Sequence, residues 1–419
     1  MTPEVKQRIE QIRRGEVPEG YKKTALGIVP ANWIETTLGK IYTERNEPGN
    51  DSLPLLMVSI HSGVSDGEVA EEDLPKKVKR IEDKSQYKHA MPGDLVFNMM
   101  RAWQGAIGSV RTEGMVSPAY IVAKPNDMVD PIFMDYYMKM PRMISMIHRQ
   151  SYGVTDFRLR LYWDSFSPIP CVLPPIEEQR RIAEILTEQE TLVKLQMMET
   201  ESLEQLSEAY VAKMFPENGN NLPELRFKEY TQPWEQHKFG DIFEEHSEKG
   251  HAELPVLTIV QGGGTVRRDE SERKLHYDKS SLANYKMVKE GDFVVHLRSF
   301  EGGLEKATMS GIVSPAYHVF RGDGIDPSFF YLYFRSSKFI KKELKPHVYG
   351  IRDGRSIDVE GMKTIYIPWA SRQEQQTIGE YFEVLGKLIA IHQHKATLLK
   401  DKMSALMQLL LTGQLQVSV

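Results

Sequence analysis

Apolar residues recur at heptad spacing in two long stretches of this 419-residue chain, and the two stretches are copies of one another. One begins at Pro174-Pro175-Ile176-Glu177-Glu178-Gln179-Arg180-Arg181-Ile182 and runs to about Phe215. The other begins at Ser371-Arg372-Gln373-Glu374-Gln375-Gln376-Thr377-Ile378 and runs to about Thr412. A shift of 196 positions lays the first on the second. In the second stretch Ile378, Leu385, Leu399 and Leu406 fall seven or fourteen apart, with Phe382, Ile389, Met403 and Leu410 at the alternate positions. The first carries Ile182, Leu203 and Tyr210 at matching places, with Leu186, Val193, Leu206 and Met214 between them. That period suits an α-helix with one buried seam. Each stretch therefore predicts a helix of roughly 55 to 60 Å at ~1.5 Å per residue. A compact domain of about 140 residues is only about 30 to 35 Å across and cannot cover such a seam end to end. The length thus favours two helices packed on each other over two helices each lying on its own domain. Gln196 and His392 hold equivalent seam positions near the helix midpoints, where Leu or Ile would pack better. In an antiparallel pair these two polar side chains should meet and fix the register.

The rest of the chain is duplicated in the same order. Trp33 with Leu38-Gly39 matches Trp234 with Phe239-Gly240, and Met91-Pro92-Gly93-Asp94-Leu95-Val96 matches Lys289-Glu290-Gly291-Asp292-Phe293-Val294. Arg101-Ala102-Trp103-Gln104-Gly105 matches Arg298-Ser299-Phe300-Glu301-Gly302. Val116-Ser117-Pro118-Ala119-Tyr120 recurs unchanged as Val313-Ser314-Pro315-Ala316-Tyr317. Asp130-Pro131 and Tyr152-Gly153 return as Asp326-Pro327 and Tyr349-Gly350. The chain therefore divides into an N-terminal extension with a short amphipathic helix (1–30), a module (31–170), a long helix (171–215), a connector (216–230), a second module (231–370) and a second long helix (371–413). Short alternating runs, Asp94 to Phe97, Ile121 to Ala123, Asp292 to His296 and Tyr317 to Phe320, predict strands. Asp130 to His148 and Asp326 to Leu344 predict helices opened by an Asp cap and a first-turn Pro.

Composition narrows the class. With 41% hydrophobic and 26% charged residues the chain reads as soluble and globular. No apolar run approaches the ~20 residues of a membrane span. The single cysteine, Cys171, excludes disulfide frameworks and Cys-based zinc sites, and a cytoplasmic location follows. A formal charge of -5 means that any surface for a polyanion must be local, or shared with a partner.

Catalytic chemistry is poorly supported. No Gly-x-x-x-x-Gly-Lys-Ser/Thr phosphate loop occurs, and Gln261-Gly262-Gly263-Gly264 reads as a flexible loop. His392 and His394, two apart on a helix, point to different faces and do not make a metal pair. Asp326 with Glu343-Leu344-Lys345 echoes a nuclease spacing that the first half lacks. What remains is binding. Lys76, Lys77, Lys79 and Arg80 form the densest basic run, against the alternative of a solvated surface turn. Arg158 and Arg160 have counterparts in Arg352 and Arg355, each pair just after the shared Tyr-Gly, which favours phosphate contact. Arg101 with Gln104, and Arg298 in the second half, carry the side chains that read guanine and adenine edges. The recurrence of Trp103 as Phe300 marks that aromatic as module core. Arg267 and Arg268 lie where the halves differ, and differences are where distinct sequences would be read.

These features resemble the specificity subunits of Type I restriction-modification systems. The resemblance rests on Leu173-Pro174-Pro175-Ile176-Glu177-Glu178-Gln179 opening the central helix and Lys213-Met214-Phe215-Pro216 closing it. Pro223-Glu224-Leu225-Arg226-Phe227 with Trp234-Glu235, and Leu410-Leu411-Thr412-Gly413, complete it. In the second half the Pro-Pro entrance is degraded to Pro368-Trp369-Ala370-Ser371. The resemblance implies two α/β (α+β) target recognition domains in tandem, separated by two long antiparallel coiled-coil helices and related by a pseudo-twofold axis. It implies a non-catalytic subunit that binds double-stranded DNA at a bipartite asymmetric site, one domain per half-site. Two modification subunits using S-adenosylmethionine, and restriction subunits using ATP and Mg2+, would dock on it, with no cofactor or metal bound by this chain and no membrane contact. The alternatives are a coiled-coil adaptor or a fused nuclease or methyltransferase.

Overall fold

The computed structural model describes residues 2–60, 63–65, 67, 83–153, 159–216, 220–270, 279–296, 304–349 and 356–417. The chain forms two compact units, Met1–Leu195 with Ala396–Val419, and Gln196–Lys395.

In the first unit the helix Pro3–Arg13 is followed by a hairpin, Tyr21–Thr24 with Gly27–Pro30. The strand Ile34–Thr37 pairs antiparallel with Pro170–Leu173, so the module closes on its own ends. Between them lies a four-stranded antiparallel sheet in the order Tyr42–Arg45, Tyr120–Pro125, Leu95–Asn98, Ile107–Ser109. Strand alternation gives this sheet two faces. Leu95, Phe97, Ile121 and Ala123 enter the larger core, and Val96 and Val122 enter a smaller one with Leu56, Val58 and Val116. Two helices, Pro131–Met138 and Pro141–Gln150, cover the larger core. The sequence pattern had predicted a single helix over this span. Pro141 divides it, because proline donates no N–H and drives the preceding residue out of helical geometry; Met140 sits at φ -59°, ψ 140°.

The second unit repeats this order. Glu235–Lys238 pairs with Tyr366–Trp369, and the sheet runs Phe243–His246, Tyr317–Gly322, Phe293–His296, Glu305–Lys306. Its larger core is filled with phenylalanine (Phe239, Phe243, Phe293, Phe320, Phe329, Phe334) where the first unit uses methionine (Met134, Met138, Met140, Met143, Met146). The helix expected from Asp326 to Leu344 also breaks. Pro327–Arg335 ends at Ser336 (ψ 146°), and the chain resumes as a π-helical turn, Phe339–Leu344. The Ser336 hydroxyl accepts a hydrogen bond from the Phe339 N–H at 3.2 Å.

The repeated Gly-Asp has one structural purpose in both units. Gly93 (φ 92°) and Gly291 (φ 88°) take left-handed turns that a side chain would strain. The next residue, Asp94 or Asp292, accepts from the N–H of Met91 (2.9 Å) or Lys289 (2.8 Å) and pairs with an arginine. That arginine is Arg45 in the first unit (2.8 Å) and Arg321 in the second (2.7 Å), from different strands.

The two long helices are Ile176–Met214 and Arg372–Leu410, of 39 residues each. In the first unit Ile182, Ala183 and Leu186 share a core with Leu410 and Leu411. In the second, Met214 and Phe215 share one with Ile378, Phe382 and Leu385. Within that second unit Gln196 meets His392, and the Tyr210 ring lies 6.4 Å from Tyr381, so the two segments run antiparallel there. Leu206, placed on the seam from its sequence position, is 42% exposed. The alternate positions continue from Val193 through Thr200 and Ser207 to Met214, and Leu206 falls one residue, about 100°, off that line.

Each long helix is fastened to its module at its first turn by a buried Glu-Gln pair. In the first unit Glu178 accepts from the Trp33 indole N–H (3.2 Å), and Gln179 accepts from the Asp130 N–H (2.9 Å) while donating to the Pro174 carbonyl (2.9 Å). In the second, Glu374 accepts from Trp234 (2.9 Å), and Gln375 accepts from the Asp326 N–H (2.9 Å) and donates to the Ala370 carbonyl (2.9 Å). Asp130 and Asp326 are the caps of the module helices. The degraded second entrance therefore keeps the two residues that make the fastening, and Ser371 caps the new start through the Glu374 N–H (3.3 Å).

The two carboxylates differ in their company. Arg226 grips Glu374 with two nitrogens at 2.7 and 2.8 Å, whereas no lysine or arginine among the described residues pairs with Glu178. Burial pushes the Glu178 carboxyl above the usual range, the Trp33 bond opposing this. A raised carboxyl pKa means that the folded state holds the proton more tightly, so this contribution is lost as pH rises through the folded value. Glu178→Gln, which keeps an acceptor for Trp33, should leave the melting temperature at pH 7 unchanged or higher, with the gain fading as pH falls through the raised folded value and gone once pH is below the ordinary glutamate value of ~4.3. Glu374→Gln strips Arg226 of its charge partner and should cost ~3 kcal/mol in denaturant melts at pH 7. Equal losses for the two variants would contradict this account.

Candidate nucleic-acid interface

In the first unit Arg101 and Gln104 stand exposed on a single 3₁₀ turn, Ala102–Gln104, between the strands Leu95–Asn98 and Ile107–Ser109. Ala102 anchors the turn in the core, and Gly105 (φ 101°) closes it. The Trp103 indole donates to the Met100 carbonyl (3.0 Å) and its ring lies 5.4 Å from His148, so this aromatic supports the turn rather than standing free. Arg160 is brought to the same neighbourhood. Its backbone exchanges two hydrogen bonds with Tyr152 (3.1 and 3.0 Å), and the next residue, Leu161, donates to the Met99 carbonyl (2.8 Å). Arg101, Gln104 and Arg160 thus sit around one strand end, with exposed His148 and Arg149 on the adjoining helix.

The second unit treats its candidates differently. Arg267 is held by Asp269 (2.9 and 3.1 Å) and Glu270 (3.4 Å), so its charge is balanced locally. Arg268 lies half-buried, with a guanidinium nitrogen 3.4 Å from the Tyr285 hydroxyl. Lys76, Lys77, Lys79, Arg80, Arg158, Arg298, Arg352 and Arg355 lie outside the described residues. Gln196 and His392 are brought together at 2.9 Å, with Glu199 3.3 Å from the same imidazole nitrogen.

Two motifs that hinted at catalysis are structural. The glycine-rich run forms the turn of the hairpin Leu257–Val260 with Gly264–Arg267, and its N–H groups cradle a carboxylate of this chain. Glu305, buried, accepts from Gly262 (2.8 Å), Gly264 (3.0 Å) and the Tyr331 hydroxyl (2.7 Å), and pairs with Arg335 (3.0 Å). Asp326 caps its helix through the Ser328 and Phe329 N–H groups (3.0 Å each), and Glu343 accepts from the Tyr333 hydroxyl. Sequence reasoning passed over Tyr152 and Tyr349, which it read only as repeat markers; both rings are exposed. The signal available was the repeated Tyr-Gly itself, standing directly before the Arg-rich stretches.

No family model matches the chain. It is 24% identical over 325 residues to the Type I restriction enzyme MjaVIII specificity subunit of Methanocaldococcus jannaschii, spanning 73% of this chain and 75% of that one. It is 21% identical over 436 residues to the putative type I restriction enzyme MjaX specificity subunit of the same organism, spanning 95% and 97%. Among solved structures, the type I restriction-modification S subunit from M. genitalium matches with a TM-score of 0.51 at 13% identity, covering 93% of this chain and 97% of that chain. A chain from a structure of type I restriction-modification complex assembly and conformational transition matches with a TM-score of 0.52 at 16% identity, covering 92% and 99%. The chain resembles type I restriction specificity subunits. The likeness to the specificity subunits extends over nearly the whole chain.

Cys171 sits on the closing strand Pro170–Leu173, buried, and burial pushes its thiol up to about 12. Only the thiolate is nucleophilic, so the folded chain should resist iodoacetamide at pH 8 and label in denaturant. Rapid labelling of the native chain would contradict this packing.

Proposed function

We propose that this chain is the DNA sequence-specificity subunit of a type I restriction-modification complex, reading a bipartite, asymmetric site with one module per half-site. The observation that carries the reading is a single module architecture present twice, with the same strand order and the same Glu-Gln fastening, on sequences that differ at positions such as Gln104 and Glu301. Arg101 and Gln104, on a turn anchored by Ala102 and Trp103, supply the bidentate side chains that recognise guanine and adenine edges. Arg160, with Lys76, Lys77, Lys79, Arg80, Arg158, Arg298, Arg352 and Arg355 from the sequence pattern, supplies phosphate contacts. Arg267, already balanced by acids, contributes least.

In this reading the long helices form an antiparallel coiled coil whose register is set by Gln196 and His392. The chain brings no catalytic group of its own. Two modification subunits carrying S-adenosylmethionine methylate adenine, and restriction subunits supply ATP- and Mg2+-dependent work, in a cytoplasmic assembly. Support for docking on the helices comes from apolar residues left outside the seam. Leu192 and Leu195 are exposed on the central helix, and their equivalents after the 196-residue shift, Leu388 and Ile391, are exposed on the C-terminal helix with Val384. A second apolar stripe of this kind on a helix suits a helical partner.

Mapping adenine methylation in DNA from cells expressing the chain with its modification subunits should reveal a split motif. Replacing residues 31–170 by another reader should change one half of it and leave the other; a change in both halves would refute the modular assignment. Gln196→Leu with His392→Leu should raise the melting temperature while loosening helix register, read by cysteine cross-linking along the pair. Unaltered register would remove the assigned role of these two residues.

A further inference from the structure

We infer that Tyr152 and Tyr349 are the aromatic anchors by which the two modules grip their respective half-sites, an assignment that rests on the specificity reading above. Both rings are largely in water, 58% and 60% exposed. Both backbones are fixed: Tyr152 pairs antiparallel with Arg160, and Tyr349 with Ser356. An exposed tyrosine alone means little, and Tyr366 is 58% exposed as well. Tyr366, however, has Pro170 at the equivalent place in the first half, whereas Tyr152 and Tyr349 are the same residue at the same structural point. Nothing in the packing of either unit demands an aromatic there, because the ring is not buried.

The surroundings match a nucleic-acid contact in both units. Exposed cations precede each tyrosine on the adjoining helical segment: Arg149 in the first unit, Lys341, Lys342 and Lys345 in the second. In the first unit the Tyr152 ring lies 5.3 Å from Tyr162 at 34°, and an Arg160 nitrogen is 3.5 Å from the Tyr162 hydroxyl. A flat aromatic face beside guanidinium suits the sugar and base edge of a duplex, with the cations taking phosphates. A rigid two-torsion aromatic held on a paired strand loses little entropy on docking.

The test uses the full complex with its modification subunits and a duplex carrying the site found by methylation mapping, alongside duplexes with either half-site scrambled. Tyr152→Ala should weaken binding to the intact site ~tenfold, the scale of an interface anchor, with an unchanged melting temperature. Loss of an uncharged contact should leave the slope of affinity against salt parallel to that of the unsubstituted complex. Tyr152→Ala should also shrink the penalty for scrambling one half-site only, and Tyr349→Ala the penalty for the other. Tyr→Phe at either position should retain binding within about twofold, since the ring makes the contact. Wild-type affinity for both alanine variants, or equal effects on both half-sites, would overturn the inference. An unsubstituted complex with no preference for any duplex would instead overturn the specificity reading, and this inference with it.

Discussion

The structure depends on two buried side chains at the start of each long helix. A carboxamide that bonds the N–H of a capping aspartate joins the first turn of one helix to the first turn of another, and the neighbouring carboxylate ties in the module's tryptophan. The tryptophan, glutamate and glutamine side chains of the joint are buried, so breaking it leaves them without a ready replacement partner. A stranded buried donor costs ~1–3 kcal/mol, several times the net worth of an ordinary exposed hydrogen bond. Each joint strands more than one. The module therefore cannot turn on its helix by sliding apolar surfaces; it would have to abandon a connected polar network. Directional bonds do here what hydrophobic contact alone cannot, since the larger cores are built from interchangeable Met and Phe.

The same economy shapes where positive charge is available on a chain of formal charge -5. Many arginines are committed internally. Arg45 and Arg321 secure the Gly-Asp turns, Arg226 secures Glu374, Arg335 secures Glu305, and Arg267 is balanced by Asp269. A bulk count of cations overstates what is available to phosphate, and it says nothing about where the available ones lie. Among the described residues, Arg101, Arg149 and Arg160 stand exposed in one neighbourhood of the first unit, and such local concentration matters more than net charge.

Duplication made the strands near Leu95, Tyr120, Phe293 and Tyr317 and both long helices legible in the sequence. A repeat compares the chain with itself and needs no outside reference. Legibility failed where the outcome depends on local backbone detail. Pro141 broke a helix that Asp130-Pro131 correctly opened, and Ser336 did so in the second half without any proline to announce it. Leu206 looked like a seam residue because its type was right, although its spacing was off by one. Arg267 looked available because its acidic partners, Asp269 and Glu270, are close in sequence but their geometry is not written there. The Gln261 to Gly264 run read as a flexible loop because its partner is distant: its N–H groups converge on an anion, Glu305, from 41 residues away.

The comparison between halves also separates what must be kept from what is free to change. The Trp, the Gly-Asp turn, the Asp-Pro cap and the Glu-Gln pair recur because each satisfies a buried polar group or a left-handed backbone, demands that admit few residue types. Core residue types are freer, richer in Met in one unit and in Phe in the other. Arg45 and Arg321 reach the same aspartate from different strands, so even the ion pair is conserved as a bond rather than as a position. Surface residues are under none of these demands: Tyr152 returns as Tyr349, but Gln104 becomes Glu301. A scaffold whose polar joints are satisfied internally can vary its exposed edge without unsettling its core, and that physical separation lets one plan carry two different surfaces.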